Sequence, residues 1–274
     1  MLRSAKIAPV FDYPLLERFW KDADELGFHG VWNYDHFYGI ADPDEPTLEG
    51  WTTLTAMAAL TSRARVGCMV TGVTYRHPAL LAKMAVSVDH ISGGRLELGL
   101  GAAWHVPEHE GYGIEFPSPR TRIAMLDEAL VIIRRMFTED RVDHQGRFWT
   151  LTQARCYPKP VQSHIPIVIG GQGERKMLRL VAAHADEWNF PALGRGPKEF
   201  RHKMSVLDDH CAAVGRDPHE IRRSVQMFIT PSDPAGTKEV LGQLGEYEAA
   251  GAEHIVFSFY SPPDRALLES VAPR

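Results

Sequence analysis

Cysteine is scarce in this 274-residue chain: Cys68, Cys156 and Cys211 stand far apart and form no CxxC pair. A disulfide framework and a cysteine-based zinc site are therefore not expected, and a reducing compartment is. Basic charge is also in short supply. Thirty Lys and Arg against 35 Asp and Glu leave a formal net charge of -5, so nucleic acid is not expected as a partner. No stretch approaches the roughly 18 uninterrupted apolar residues of a membrane span. The opening residues, MLRSAKIAPVFDYP, hold no apolar core or cleavage region of a signal peptide. These absences lead to the expectation of a cytoplasmic protein without a membrane partner.

What is present is ordinary for a globular protein: 44% hydrophobic and 24% charged residues. The length fits two modest domains or one large α/β barrel. Strand-like runs and helix-like periodicities then alternate along the chain. Strands are expected at Lys6 to Val10, Gly30 to Tyr34, Arg65 to Thr71, Arg95 to Leu100, Ile165 to Ile169, Glu187 to Phe190, Arg222 to Ile229 and His254 to Phe259. Helices are expected between them. The plainest covers 120–137, where Ile123, Leu126, Leu130, Ile133 and Phe137 recur every three or four residues. Residues 141–152 read as a small hairpin insertion around Gln145-Gly146. Eight β/α units without a linker predict a single (β/α)8 TIM barrel over 1–274.

In such a barrel the chemistry sits at the C-terminal strand ends. The polar and glycine-rich signals fall there: Asp35-His36, Thr71-Gly72-Val73-Thr74, Gly99 to Trp104, Gly170 to Arg175 and Trp188-Asn189. GGQGER is a glycine turn opening a helix, where backbone N–H groups and Arg175 suit a phosphate; the plain alternative is a tight turn without a ligand. Asp35-His36 suits acid–base work, or is a turn aspartate beside a half-exposed histidine. His105-Val106-Pro107-Glu108-His109 spells H-x-x-E-H, but Pro107 argues against the helix that motif requires, so a loop and no metal are expected. SGGRLELGLGAAWH has Trp104 at the third glycine position of a dinucleotide fingerprint and follows a fourth strand, so that reading fails.

Three strings then resemble the luciferase-like monooxygenase superfamily: DELGFHGVWNYDHF, TYRHPALLAKMAVSVDHISGGRLELGLGAAW and RCYPKPVQSHIPIVIGGQGERKMLRLVAAHADEWN. They span most of residues 15–190, and their wording is most similar to the branch that uses the deazaflavin coenzyme F420. The resemblance implies a luciferase-like barrel with a (deaza)flavin in its mouth and a small-molecule substrate against it. It implies a non-prolyl cis peptide after strand three, mapped to Gly72-Val73. It implies cofactor contacts at Thr71, Gly72, Val73, Ala102, Ala103, Trp104, Gly170, Gly171, Gln172, Gly173 and Arg175. It implies a homodimer, a family habit.

His36 matches the active-site histidine, with Asp35 expected to orient it or bind the ring edge. In the related alcohol and sugar dehydrogenases a tryptophan and a glutamate complete the set. Those positions hold Ile40 and Ala102 here, which argues against alcohol or sugar-phosphate oxidation. Glu108, His105 and Trp51 are the candidates to replace them, and 37–50 is the expected pocket wall. The expected function is hydride transfer between coenzyme F420 and a small organic substrate. The alternatives are an FMN-dependent monooxygenase of the same fold, a non-catalytic flavin-binding protein and, more distantly, a metal hydrolase.

Overall fold

The computed structural model describes residues 1–40 and 42–273. Strand and helix alternate from its first residues: β1 (Leu2–Ile7), α1 (Tyr13–Glu25), β2 (Gly30–Asn33), α2 (Gly50–Leu60), β3 (Arg65–Cys68), β4 (Thr71–Gly72) and α3 (Pro78–Ile91). There follow β5 (Leu98–Gly101), α4 (Val106–Tyr112), α5 (Pro119–Thr138) and the hairpin β6 (Val142–Gln145) and β7 (Thr150–Ala154). The remainder is β8 (Ile167–Gly170), α6 (Met177–His184), β9 (Glu187–Pro191), α7 (Pro197–Val214), β10 (Arg222–Ile229), α8 (Pro234–Gly242), α9 (Leu244–Ala249), β11 (His254–Phe259) and α10 (Arg265–Val271).

The main sheet is parallel, in the order β3-β2-β1-β11-β10-β9-β8-β5-β4. Its two end strands are halves of the one expected third strand, and a bridge from Val66 to Leu96 closes the ring. Met69 and Val70 separate the halves, and the peptide between them is cis. The expected position, Gly72-Val73, is corrected: the ladder with β2 ends at Cys68, so the break falls before Thr71.

Alternate residues of each strand face opposite ways. One set (Ala5, Ile7, Val31, Val66, Leu98, Leu100, Ile167, Ile169 and their like) packs under the helices in the large core. Burial of each such side chain contributes about 1.5–3 kcal/mol. The other set fills the barrel, and among the described residues a small apolar cluster of Trp32, Met69, Val168 and Val256 lies there, with Val70 against it. Polar residues complete that interior. His254 bridges Ser4 Oγ (2.7 Å) and Glu187 Oε1 (2.9 Å), and Arg222 reaches Glu187 Oε2 (3.1 Å). Asn189 donates to Ser224 Oγ (2.9 Å).

This polar interior explains where the first strand departs from expectation. Arg3, Ser4 and Lys6 interrupt the apolar pattern, so the apolar run to Val10 reads as the strand although the ladder with β11 begins at Leu2. Pro107 gives the second departure. It falls in the first turn of α4, where a proline removes no intrahelical bond, and Gly113 caps the other end at φ 64°. The expected loop is a helix.

Candidate active site

Asn33, the last residue of β2, fixes the approach of α2. Its side-chain amide donates to the Gly50 carbonyl (2.8 Å) and Thr53 Oγ1 (2.9 Å), and the Cys68 thiol donates to its Oδ1 (2.9 Å). Asp35 follows. Its carboxylate is held in a two-pronged pair by Arg76 (2.6 and 2.9 Å), which also reaches Glu49 (2.5 Å), the N-cap of α2. Burial pushes Asp35 up to about 6, against the pull of Arg76. Asp35 is therefore a clamp between strand ends. It does not orient His36.

That task belongs to Glu108, on α4. Its Oε2 accepts from His36 Nδ1 (2.9 Å) and from the Tyr75 hydroxyl (2.5 Å); its Oε1 accepts from the backbone N–H groups of Phe37 and Tyr38. Burial would raise the Glu108 pKa. The bonds from His36 and Tyr75 and the charge of the imidazole outweigh it and hold the group at about 2. An ionised carboxylate only accepts, so Nδ1 of His36 carries its proton and Nε2 is left free of that bond. The ring stands edge-on to Tyr34 (4.9 Å) and to Trp104 (5.3 Å), and Trp104 is largely exposed. Tyr75 packs on Phe37 (4.7 Å).

His105 lies beside this pair, its buried Nδ1 3.4 Å from Glu108 Oε2 and without a hydrogen bond. The donor atoms of His36, His105 and Glu108 lie within 4.8 Å of one another, a metal-ligand spacing where no metal is expected from sequence. The set is not H-x-x-E-H, because His109 turns away. Its Nδ1 donates to the His105 carbonyl (2.7 Å), so its Nε2 accepts from Thr74 Oγ1 (2.7 Å). Both Glu108 oxygens are already occupied by N–H and O–H donors.

The other sequence-derived positions divide. Thr71 and Val73 are buried, Val73 in the helix-side core; Thr71 Oγ1 accepts from Trp51 Nε1 (3.1 Å), so Trp51 spends its one donor away from His36. Gly72 sits against the Tyr75 ring and Ala103. Ala102 presents its carbonyl to Arg122 (2.9 Å), and Ala103 takes a left-handed φ of 57°. Gly99 and Gly101 clear space for the chain itself. A Cβ on Gly99 would lie 1.9 Å from the Cys68 carbonyl oxygen, and one on Gly101 2.6 Å from Val70. Trp188 stacks on Phe200 at 5.7 Å and its Nε1 donates to the Gly171 carbonyl (2.7 Å), so it braces the glycine turn from the helix side, while Asn189 bonds within the barrel. The expected wall at 37–50 includes Ala41, which lies outside the described residues.

The turn Gly170-Gly171-Gln172-Gly173 ends β8 and leads to α6. Gly171 holds φ 132°, and the N–H groups of Gly171, Gln172 and Gly173 meet no backbone acceptor among the described residues. Two residues of the mouth escaped the sequence reading. Tyr75 is one. Lys6, 7% exposed, is the other; its ammonium lies 5.9 Å from the centre of the Tyr34 ring, and burial lowers its pKa to about 7. The signal was available in Lys6, a charged residue inside a strand-like run.

The sequence model of the family described as luciferase-like monooxygenase matches residues 3–253. An F420-dependent glucose-6-phosphate dehydrogenase of Kineococcus radiotolerans is 31% identical over 79% of this chain and 64% of its own length. The pyrimidine monooxygenase RutA of Cronobacter sakazakii is 30% identical over 81% of this chain and 64% of its own. The chain thus spans just under two thirds of these two relatives. The coenzyme F420-dependent tetrahydromethanopterin reductase of Methanopyrus kandleri superposes with a TM-score of 0.83 over 99% of this chain and 97% of that one, at 18% identity. At that identity the likeness is one of fold.

Proposed function

The chain belongs to the luciferase-like monooxygenase family, and we propose that it is an oxidoreductase passing a hydride between coenzyme F420 and a small organic substrate at the barrel mouth. The observation that carries this reading is the His36–Glu108 hydrogen bond of 2.9 Å, which leaves one imidazole nitrogen available. The family resemblance expects an acid at Ala102; Glu108 brings the same carboxyl chemistry from α4.

The residues present fit the cofactor. Unpaired N–H groups at Gly171 to Gly173, before a helix, suit a phosphodiester. Gly170 to Gly173 and Arg175 would hold that group, with Gly72 and Ala102 to Trp104 beside the ring. When bound, the deazaflavin supplies a two-electron hydride carrier. The chain supplies the proton. His36 Nε2 gives a proton to the substrate atom on reduction, or takes it on oxidation. Glu108 stays ionised throughout and stabilises the imidazolium between turnovers. Tyr75 fixes the carboxylate, and the exposed Trp104, edge-on to His36, would cover the substrate.

The FMN-dependent monooxygenase reading is supported by the RutA relative, since the same turn would take the FMN phosphate. Fluorescence titration of the purified protein with F420 and with FMN separates them. Micromolar F420 binding without FMN binding is the expected result, and the reverse overturns the proposal. Glu108→Gln should leave the F420 Kd within about twofold and lower kcat by roughly 10²–10⁴, the range of general acid–base catalysis. A non-catalytic binding protein would show no substrate-dependent change in F420 absorbance in either form.

A further inference from the structure

One charge in the mouth is left over by the proposed chemistry. Lys6, on β1, is 7% exposed and shares the inward face of its strand with Ser4, which bonds to His254 inside the barrel. Its ammonium rises to the Tyr34 ring (5.9 Å), and that ring stands edge-on to His36 (4.9 Å). A buried lysine is ordinarily paired. Among the described residues no carboxylate acts on this one; its titratable neighbour is the Cys68 thiol, which burial keeps protonated. The acids of the barrel are engaged elsewhere. Arg76 holds Asp35, His36 and Tyr75 hold Glu108, and His254 and Arg222 hold Glu187. The ammonium is thus left for an anion from outside the chain.

Its position sets it apart from the cofactor. With β3 and β4 as one strand, the ring order places β1 four strands from β8 whichever way round, and β11 four strands from β5. The strand β8 leads to the glycine turn, and β5 to Ala102 and Trp104. Lys6, and Ser258 paired with it on β11, therefore lie across the mouth from the residues given to the deazaflavin. Ser258 brings a hydroxyl beside the ammonium. Its own partner on β10 is Phe228, which stacks on Tyr260 at 5.6 Å and supplies an apolar wall. One ammonium and one hydroxyl match the single charge of a carboxylate. A phosphate dianion would keep a negative charge uncompensated there.

We propose that Lys6 anchors a carboxylate of the substrate, so that the molecules reduced or oxidised at His36 are small organic acids. The inference rests on the hydride-transfer reading of the mouth. It also gives a reason for a buried charge that does nothing for the fold: a site that holds one unpaired ammonium beside a proton donor is preset for a ligand of opposite sign.

The test uses protein loaded with oxidised F420 at pH 6.5 and probes matched in shape but not in charge: acetate and acetamide, crotonate and crotonamide, benzoate and benzamide. Titration followed by saturation-transfer NMR gives a Kd for each. The wild type should bind at least one acid about tenfold tighter than its amide, the gain expected from a hydrogen bond to a charged group. Lys6→Met should lose that preference and keep its Kd for the amide and for F420 within about twofold of wild type. No preference in any wild-type pair, or a preference that survives Lys6→Met, overturns the inference and leaves hydride transfer standing. So does a loss of F420 affinity in the variant, which would give Lys6 to the cofactor. Methylphosphonate bound tighter than every acid overturns the carboxylate class. Failure of F420 to bind the wild type overturns the reading of the mouth itself.

Discussion

Lys6 carries a cost. An ammonium 7% exposed inside a barrel, its pKa brought from 10.5 to about 7 by burial, is a group the fold tolerates and does not need. Below pH 7 it is charged in both folded and unfolded chains, and the native state bears the full desolvation. Between pH 7 and 10.5 the unfolded chain binds the extra proton, so stability rises with pH across that window. A tenfold change in proton affinity corresponds to about 1.4 kcal/mol, so Lys6→Met should stabilise the protein at pH 6.5 by about 2–4 kcal/mol. Urea denaturation at pH 6.5 and near pH 10 checks this: the gain should shrink at the higher pH. A variant no more stable than wild type at pH 6.5 would mean that Lys6 is paired or hydrated in solution. The mouth residues show how far single positions were legible. His36 stood out because a histidine at a strand end is unusual. Its partner was one of three candidates, Glu108, His105 and Trp51, and the sequence could not choose among them, because Glu108 lies 72 positions away on a segment whose proline suggested a loop. Asp35 was noticed for its charge, and the distant Arg76 that binds it set its role.

Among the elements, the third strand departs most from what its sequence suggests. RVGCMVT reads as one continuous β-branched run, yet the ladder stops at Cys68 and resumes at Thr71. The reason lies opposite, in β5, where Gly99 and Gly101 leave room for the Cys68 carbonyl and the Val70 side chain. Periodicity within one strand holds no information about the depth of its neighbour. Gly99→Ala would set a Cβ 1.9 Å from a backbone oxygen, which has no rotamer to escape by. It should cost about 3 kcal/mol or more and appear as a large drop in Tm or in soluble yield. Gly245→Ala, in α9 with nothing within 4 Å, should instead stabilise by up to about 1 kcal/mol. Equal effects at the two sites would show that the close approach in β5 is not a constraint. Elsewhere the elements were easy to read: Arg222–Ile229 and His254–Phe259 match their expected bounds, since both carry long buried runs. The single helix expected between the last two strands divides at Gln243 into α8 and α9.

For the whole molecule, the barrel class was legible because alternation of strand and helix is a property of order along the chain. The interior was not, since its contacts join residues as distant as Ser4 and His254. That interior gives the protein an acid limit. Burial would raise the Glu187 pKa, but His254 and Arg222 outweigh it and hold the group at about 2. Its contribution is complete above the ordinary 4.5 and is lost as pH falls from 4.5 to 2. Glu187→Gln should therefore destabilise the protein by about 3 kcal/mol at pH 7, the order seen when one partner of a buried ion pair is removed. It should also flatten the loss of stability between pH 4.5 and 2. Denaturation curves at pH 7, 4.5 and 3 measure both, and an unflattened acid limb would assign the acid sensitivity to Glu108.

Glu108 reaches its histidine from a seven-residue helix that belongs to neither the barrel wall nor its outer helices in sequence register. The acid and the imidazole thus stand on separate parts of the chain: the end of β2 leads to one, and a short segment after β5 holds the other. Replacing that segment would move, remove or restore the acid without altering the sequence of a single strand.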